Sequence, residues 1–218
     1  MFSRRVALIV STAALVFAAA GVRAADTQAP DALIKQVSVD VLDTIKSDKS
    51  FKTGGVNKVM ALVDAKVMPY VNFQRMTSAA VGRYWRQATP EQQKRLQEEF
   101  KVLLVRTYAG ALAQVMDQTV QLKPMRGSAD DNEVVVKTEV KSKGDSIQLD
   151  YRLEKSPDGW KIYDVNVLGI WLVENYRSSF AQEIGQHGID GLIARLAERN
   201  RSGAAGNGAT NASANGRS

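Results

Sequence analysis

The segment 159–180 limits the possible folds most strongly, because it predicts a strand that continues almost directly into a helix. Trp160 and Ile162 fall on one face of the predicted strand, and three further side chains fall on the other: Tyr163, Val165 and Val167. After Gly169 the spacing becomes helical, in steps of three and four: Val173, Tyr176, Phe180 and Ile184. A strand that needs apolar neighbours on both faces favours a curved sheet closed by a helix over a cavity, although an ordinary packed core would satisfy the same pattern.

Four helices are predicted ahead of the sheet. The first begins at Asp31 and the second ends before Pro69, and both carry apolar residues at helical spacing. Asn72 is a suitable N-cap for the third helix, and residues 89–92 form a capping box for a fourth. The fourth helix keeps its apolar period as far as Met116, so we expect it to cross the whole domain.

After Asp117 the apolar period falls to two, which predicts four antiparallel strands joined by short polar turns: residues 118–126, 133–142, 146–154 and 159–167. In the second and third strands apolar residues alternate with charged ones, so one sheet face should be buried and the other wet. The glycines within 185–188 are expected to break the last helix and leave a short final one. Helices first and strands afterwards predict a segregated α+β domain.

The two ends of the chain differ in composition from its middle. Residues 1–24 combine Arg4 and Arg5, an apolar run and a small-residue site ending at Ala24, which is typical of a cleaved secretory signal peptide. Residues 201–218 consist mostly of Gly, Ala, Asn and Ser and are expected to be disordered. The predicted domain of this exported, soluble protein is therefore 25–200.

The positive charge of the chain does not indicate a nucleic-acid partner. The formal net charge is +6, but three arginines lie in the signal peptide and two in the tail, so the domain itself is nearly neutral. The chain has no cysteine and a single histidine, His187, which excludes disulfides, thiolate chemistry and histidine-rich metal sites. We therefore expect neither a metal nor another cofactor.

Catalytic motifs are absent from the sequence, which has neither a Gly-x-Ser-x-Gly elbow nor a phosphate loop. Asp164 is the strongest candidate for chemistry, because a carboxylate desolvated beside a cavity can have a raised pKa and act as a base. The alternative for Asp164 is a structural or solvent-facing carboxylate. An exported isomerase- or hydratase-like enzyme that uses Asp164 is the alternative function, and a protein that acts through its surface alone is a third.

Five separated segments resemble the toluene-tolerance family: VNFQRM at 71–76, GRYWRQATPEQ at 82–92, LVRTYA at 104–109, YDVNV at 163–167 and LVENYR at 172–177. The resemblance implies a soluble, monomeric periplasmic phospholipid carrier rather than an enzyme. It implies a cone-like fold similar to nuclear transport factors, with a curved antiparallel sheet of about four strands and surrounding helices around a deep apolar lipid pocket. It also implies shuttling between an outer-membrane lipoprotein–porin complex and an inner-membrane MCE-domain ABC transporter, which maintains outer-membrane lipid asymmetry.

The expected cargo sets the scale of this pocket. Two acyl chains hold about 30 methylenes, so leaving them in water costs on the order of 20 kcal/mol or more. The residues expected to line the pocket are Tyr70, Phe73, Met76, Tyr84, Leu104, Tyr108, Leu112, Val140, Leu149, Tyr151, Val165, Val167, Val173 and Tyr176. Three arginines are candidates for the headgroup phosphate at its mouth: Arg75, Arg106 and Arg177.

Overall fold

The computed structural model of the chain describes residues 28–52, 55–113, 118–125, 131–141 and 146–202. The predicted signal peptide, the predicted helix end at Met116 and nearly all of the predicted tail lie outside these residues. The described part is an α+β fold with helices before and after an antiparallel sheet. The predicted fold class is therefore confirmed.

Five α-helices frame the sheet: α1 Pro30–Ser47, α2 Gly55–Lys66, α3 Phe73–Val81, α4 Pro90–Ala113 and α5 Leu172–Arg201. The predicted caps are present. The Asn72 side-chain oxygen accepts a hydrogen bond from the backbone N–H of Arg75 at 3.0 Å. At the start of α4 the Thr89 N–H donates to the Gln92 side chain at 3.0 Å, and the Gln92 N–H donates to the Thr89 hydroxyl at 3.2 Å. These bonds satisfy donors that a helix start leaves unpaired.

The sheet has five antiparallel strands in the order of the chain: β1 Thr119–Leu122, β2 Glu133–Lys141, β3 Ser146–Ser156, β4 Gly159–Val167 and β5 Ile170–Trp171. The fifth strand corrects the prediction that helix follows Gly169 directly. Leu168 and Gly169 both have positive φ, 53° and 89°, and form a tight two-residue turn. This backbone geometry matches the twist of a hairpin, so Ile170 returns to pair with Val167 before α5 begins.

A β-bulge in β4 decides which side chains point inward. Leu153 lies opposite Ile162, whereas Arg152 lies opposite Asp164, so Tyr163 is an extra residue on the bulged strand. As a result, the apolar residues before and after the bulge share one face: Trp160, Ile162, Val165 and Val167. The prediction that these residues lie on opposite faces is wrong, because the alternation of a strand does not continue through a bulge.

Buried apolar side chains of the described residues form three separate clusters. The first joins α3, α4 and α5 around Phe100, whose ring lies 5.1 Å from that of Tyr176 and 5.2 Å from that of Phe180. The second packs α1 against one face of the sheet, which we call the inner face. The third joins the end of α1 to α2 and α4. The interior is therefore divided rather than filled by one continuous core.

Helix α5 bends at Gly188, which has φ 72° and ψ −179°. The predicted break within 185–188 is thus confirmed as a kink between two helical arms. A Cβ on Gly191 would lie 2.3 Å from the Cβ of His187, so the bend also needs a glycine one turn later. The second arm is held against α4, because the Asn200 side chain donates to the backbone and side-chain oxygens of Glu99 at 2.9 and 2.7 Å.

Replacing Gly188 by alanine is expected to lower the free energy of unfolding by about 1–3 kcal/mol, because its backbone conformation is essentially open only to glycine. Gly185 is the matched control. It is helical and nothing lies within 4 Å of its Cβ position, so Gly185→Ala should be neutral or stabilise by up to about 1 kcal/mol. Urea unfolding of both variants measures the difference, and equal losses would contradict a kink that depends on Gly188.

Candidate functional site

Part of the inner face of the sheet is not sealed by helices. Where α1 covers the sheet, Val136, Leu153 and Ile162 are fully buried. Further along the same face four apolar side chains remain half-buried: Leu149, Tyr151, Val165 and Val167. We call these four residues the pocket floor. Apolar surface that helices leave accessible on a sheet face is a candidate lining for a ligand site.

The loop before α3 borders the inner face of the sheet next to the pocket floor. Val71 and Val165 pack against both the first and the second cluster, so they lie at the boundary between them. Tyr70 is half-buried against the second cluster. Its neighbour Val71 forms a parallel bridge with Ile162, which places this loop on the edge of β4.

Helix α4 presents Leu104 and Tyr108 on one stripe, since residues four apart share a helix face. Leu103 belongs to the first cluster and Val105 to the third. Successive residues of a helix are 100° apart, so Leu104 lies 100° from Leu103 on one side and 100° from Val105 on the other. The stripe of Leu104 and Tyr108 therefore faces between the first and the third cluster. Both side chains are half-buried, so α4 contributes a second partly open apolar surface.

The pKa values of two tyrosines indicate that this region is shielded from water. Burial raises the pKa of Tyr108 to about 12, and the nearby Tyr176 adds to the effect. Burial also raises the pKa of Tyr151, although contacts with the hydroxyls of Thr138 and Ser38 oppose the rise. Both phenols are desolvated and yet keep accessible surface. They are therefore neutral phenols in surroundings that are shielded from water.

The remaining predicted lining residues occupy different positions. Met76, Val173 and Tyr176 are buried inside the first cluster, and Phe73 and Tyr84 lie half-buried at its edge. Val140 is buried on the inner face of β2, and the Leu112 side chain lies outside the described residues. The structure thus brings the sheet residues of the predicted set together, while it places most of the α3 and α5 residues in a closed core. The prediction missed Val71, although its place in the VNFQRM segment pointed to it.

A separate groove lies between the two arms of α5. Its volume is about 560 Å³, and the described residues that rim it include Glu183, Arg195 and Arg199. Its floor consists of Leu103, Tyr176 and other residues that are already buried. It therefore offers little apolar surface, and its volume is toward the middle of the roughly 300–1,000 Å³ range of ligand sites rather than at the upper end expected for two acyl chains.

Arg75 is already engaged by the protein. It forms ion pairs with Glu154 and, at 2.6 Å, with Glu133, and its guanidinium lies 3.7 Å from the centre of the Tyr163 ring. Arg75 holds the pKa of Glu133 below its usual range. Because Glu133 and Glu154 are opposite each other on the polar face of the sheet, Arg75 ties the start of α3 to that face.

The other two predicted arginines lie elsewhere. Arg106 is 200° around α4 from both Leu104 and Tyr108, so it projects from the opposite side of the helix. Arg177 lies beside Gly82 and lines a small cavity of about 260 Å³ with Arg83 and Tyr84. The three arginines contact different parts of the fold, and this arrangement gives no support to a headgroup site that they share.

Asp164 has a structural role. Its side chain is 1% exposed. One carboxylate oxygen accepts the backbone N–H groups of Val165 and Val173 at 2.9 and 3.1 Å, and the other accepts from Arg152 at 3.1 Å. Burial raises the pKa of Asp164, while the Val173 N–H and the Arg152 charge oppose the rise.

The N-cap residue of α5, Trp171, makes no side-chain capping bond, so Asp164 performs this function from the neighbouring strand. Both carboxylate oxygens of Asp164 have partners and its surface is closed to water. It is therefore not placed to take a proton from a substrate.

The sequence model of the MlaC protein family matches residues 35–198. The chain belongs to this family. The match spans α1 to the second arm of α5 and includes the whole sheet. It therefore contains the pocket floor, the loop that carries Val71 and the Leu104–Tyr108 stripe of α4. None of the helices in the described part of the chain combines the length and the apolar character that crossing a bilayer requires.

Named relatives agree with membership of the MlaC family. The intermembrane phospholipid transport system binding protein MlaC of Haemophilus influenzae is 24% identical over 171 residues, which is 77% of this chain and 80% of the relative. The toluene tolerance protein ttg2D of Pseudomonas putida is 26% identical over 164 residues, which is 75% of this chain and 76% of the relative. Similarity extends over most of each protein.

A solved structure from Ralstonia solanacearum is more similar in sequence. It is a phospholipid-binding protein in complex with a phospholipid, and it is 51% identical with a TM-score of 0.78. The alignment covers 80% of this chain and 98% of that protein. The two folds therefore correspond over nearly the whole length of the Ralstonia protein.

Replacing Asp164 by alanine is expected to lower the free energy of unfolding by about 3 kcal/mol, since Arg152 loses its buried partner and Val173 its cap acceptor. Asp164→Asn is the matched variant, because it keeps an acceptor for Val173 and should lose about half as much. Urea unfolding measures both. An alanine variant as stable as the unaltered protein would exclude this capping role.

Proposed function

We propose that this protein is a periplasmic phospholipid carrier of the MlaC type, which holds the acyl chains of a glycerophospholipid over the pocket floor. The observation that carries the proposal is a half-buried apolar surface inside a fold of the MlaC family. A phospholipid-bound relative that is 51% identical supports it. No described feature favours the enzyme, since the carboxylate it would need is enclosed.

The chemistry of the site suits acyl chains. The floor consists of two valines, a leucine and a tyrosine, and in this proposal α4 adds the half-buried Leu104 and Tyr108. Phenols are neutral at physiological pH and burial raises the pKa of Tyr108 and Tyr151 further, so neither places a charge beside the cargo. Each methylene removed from water contributes about 0.8 kcal/mol, so the affinity comes mainly from the chains.

We infer little selectivity for the headgroup. The arginines considered for the phosphate are either paired, as Arg75 is, or project elsewhere, as Arg106 does. A headgroup that remains at the mouth keeps its own hydration and needs no dedicated partner. Diacyl phospholipids with different headgroups should therefore bind with similar affinity.

The cellular setting is part of the proposal. The signal sequence, cleaved near Ala24, would deliver the protein to the periplasm as a monomer. The family resemblance supports a shuttle between an outer-membrane lipoprotein–porin complex and an inner-membrane MCE-domain ABC transporter. In this setting the protein would move phospholipid across the aqueous space and so maintain the lipid asymmetry of the outer membrane.

Protein purified gently from the periplasm is expected to carry diacyl phospholipid whose headgroups reflect the composition of the cell. Native mass spectrometry gives the bound mass, and lipid extraction gives its identity. Protein recovered without phospholipid would contradict the carrier. Retention of one minor lipid in the presence of all others would contradict the low headgroup selectivity.

Val167→Arg is expected to abolish most lipid loading, because an unpaired charge among acyl chains is costly. The matched control is Val135→Arg. Val135 is a partly buried valine of the same sheet, but it lies opposite Arg152 on the polar face. Bound lipid per folded molecule, measured after extraction, should fall for Val167→Arg and stay unchanged for Val135→Arg. Equal lipid loading of both variants would show that Val167 does not contact the bound acyl chains.

A further inference from the structure

The tip of the β4–β5 hairpin exposes large apolar side chains. Leu168 is 57% exposed and Ile170 is 41% exposed. Among the described residues, one other large apolar side chain is similarly exposed, Val39 on α1 at 42%. Two of these three side chains therefore lie within three residues of each other, on one turn of the sheet.

The backbone at the tip makes the choice of leucine unexpected. Leu168 has φ 53° and is the one residue other than glycine with a positive φ in the described part of the chain. Turns with two positive φ angles usually begin with asparagine, aspartate or glycine. A leucine in this conformation is strained. Because its side chain is exposed, little energy from apolar burial offsets the strain. Folding does not explain this residue, which points to a function.

The tip continues the apolar surface of the pocket floor. Ile170 pairs with Val167, and Val167 pairs with Leu149. Paired residues share a face of the sheet, so Leu149, Val167 and Ile170 form an apolar track that leads from the interior to the exposed end. An acyl chain that follows this track would stay beside apolar side chains until it reaches the tip.

The other side of the hairpin carries an aromatic residue and a cation. Trp171 is half-buried, and the Arg152 guanidinium lies 3.9 Å from the centre of its ring. Tryptophan and arginine are the residue types that commonly sit at the level of lipid headgroups, behind apolar side chains that reach deeper. Arg152 is balanced by Asp164 and by Glu174, which lies 4.0 Å away.

We propose that Leu168 and Ile170 insert into the interface of a lipid bilayer when this protein exchanges its cargo, with Trp171 at the headgroup level. This inference rests on the proposed carrier function and adds the surface through which the lipid passes. A bilayer fits the tip because residues 167–170 carry no charge and extend the pocket floor. Two side chains bury little area, so the contact is transient and leaves the carrier free to depart. Because Arg152 beside Trp171 is balanced by Asp164 and Glu174, this cation should add little dependence on salt or on anionic lipid.

The absence of cysteine allows a direct test. Single-cysteine variants Leu168→Cys, Ile170→Cys and Val39→Cys are labelled with an environment-sensitive fluorophore and mixed with vesicles of phosphatidylcholine, with or without phosphatidylglycerol. Fluorophores at 168 and 170 should shift to the blue with both kinds of vesicle. The fluorophore at 39, on an equally exposed residue of α1, should not shift.

A second variant separates this contact from folding. Leu168→Asn suits the turn better, so the melting temperature should stay the same or rise. Its vesicle binding should fall about tenfold, as expected for removing a half-exposed leucine from the contact. Val39→Asn is the control and should bind vesicles like the unaltered protein. Co-purified lipid per molecule should be unchanged in both variants.

Any one of these results would overturn the proposal: no blue shift at 168 and 170, an equal shift at 39, or unchanged vesicle binding by Leu168→Asn. A blue shift that appears without vesicles when the protein concentration is raised would show that the tip binds a second copy of the chain. This result would also overturn the proposal. Failure of the carrier function would differ from all of these, because it appears as absence of co-purified lipid whatever the fluorophores report.

Discussion

The joint between β4 and α5 is the constraint on which the other parts of the site depend. The extra residue Tyr163 turns Val165 and Val167 to the inner face, and it leaves Asp164 facing the other way. Asp164 then accepts the N–H of Val173 and holds the start of α5 against the strand. A helix start carries unpaired donors and partial positive charge, so a buried carboxylate fixes its position. One short segment therefore sets both the pocket floor and the path of the helix that closes the interior.

The divided interior has a consequence for stability. A fully packed core would bury Leu149, Tyr151, Val165 and Val167, whereas this fold leaves them half-buried. A ligand that covers these side chains binds the folded state and not the unfolded one, so it stabilises the protein by mass action. The same four side chains therefore lower the stability of the protein without ligand and favour the binding of acyl chains.

The polar face of the sheet is a structural network. Arg75 joins α3 to Glu133 and Glu154, and Arg152 joins Asp164 to the region of Trp171. Each arginine also stacks on an aromatic ring, which a delocalised guanidinium does well. Arg75, a headgroup candidate in the sequence, therefore holds α3 to the sheet. The apolar face opposite them is left for function.

The order of helices and strands, the caps at Asn72 and at residues 89–92, and the alternation in β2 and β3 were determined by the sequence alone. These features depend on backbone periodicity and on hydrogen bonds between residues three or four apart, which a local pattern records. The role of Asp164, the partners of Arg75, the strand β5 and the shared face of Ile162 and Val165 were decided by the tertiary structure. Each of them depends on a strand register or on a partner distant along the chain, such as Glu154 for Arg75, and no local spacing encodes that distance.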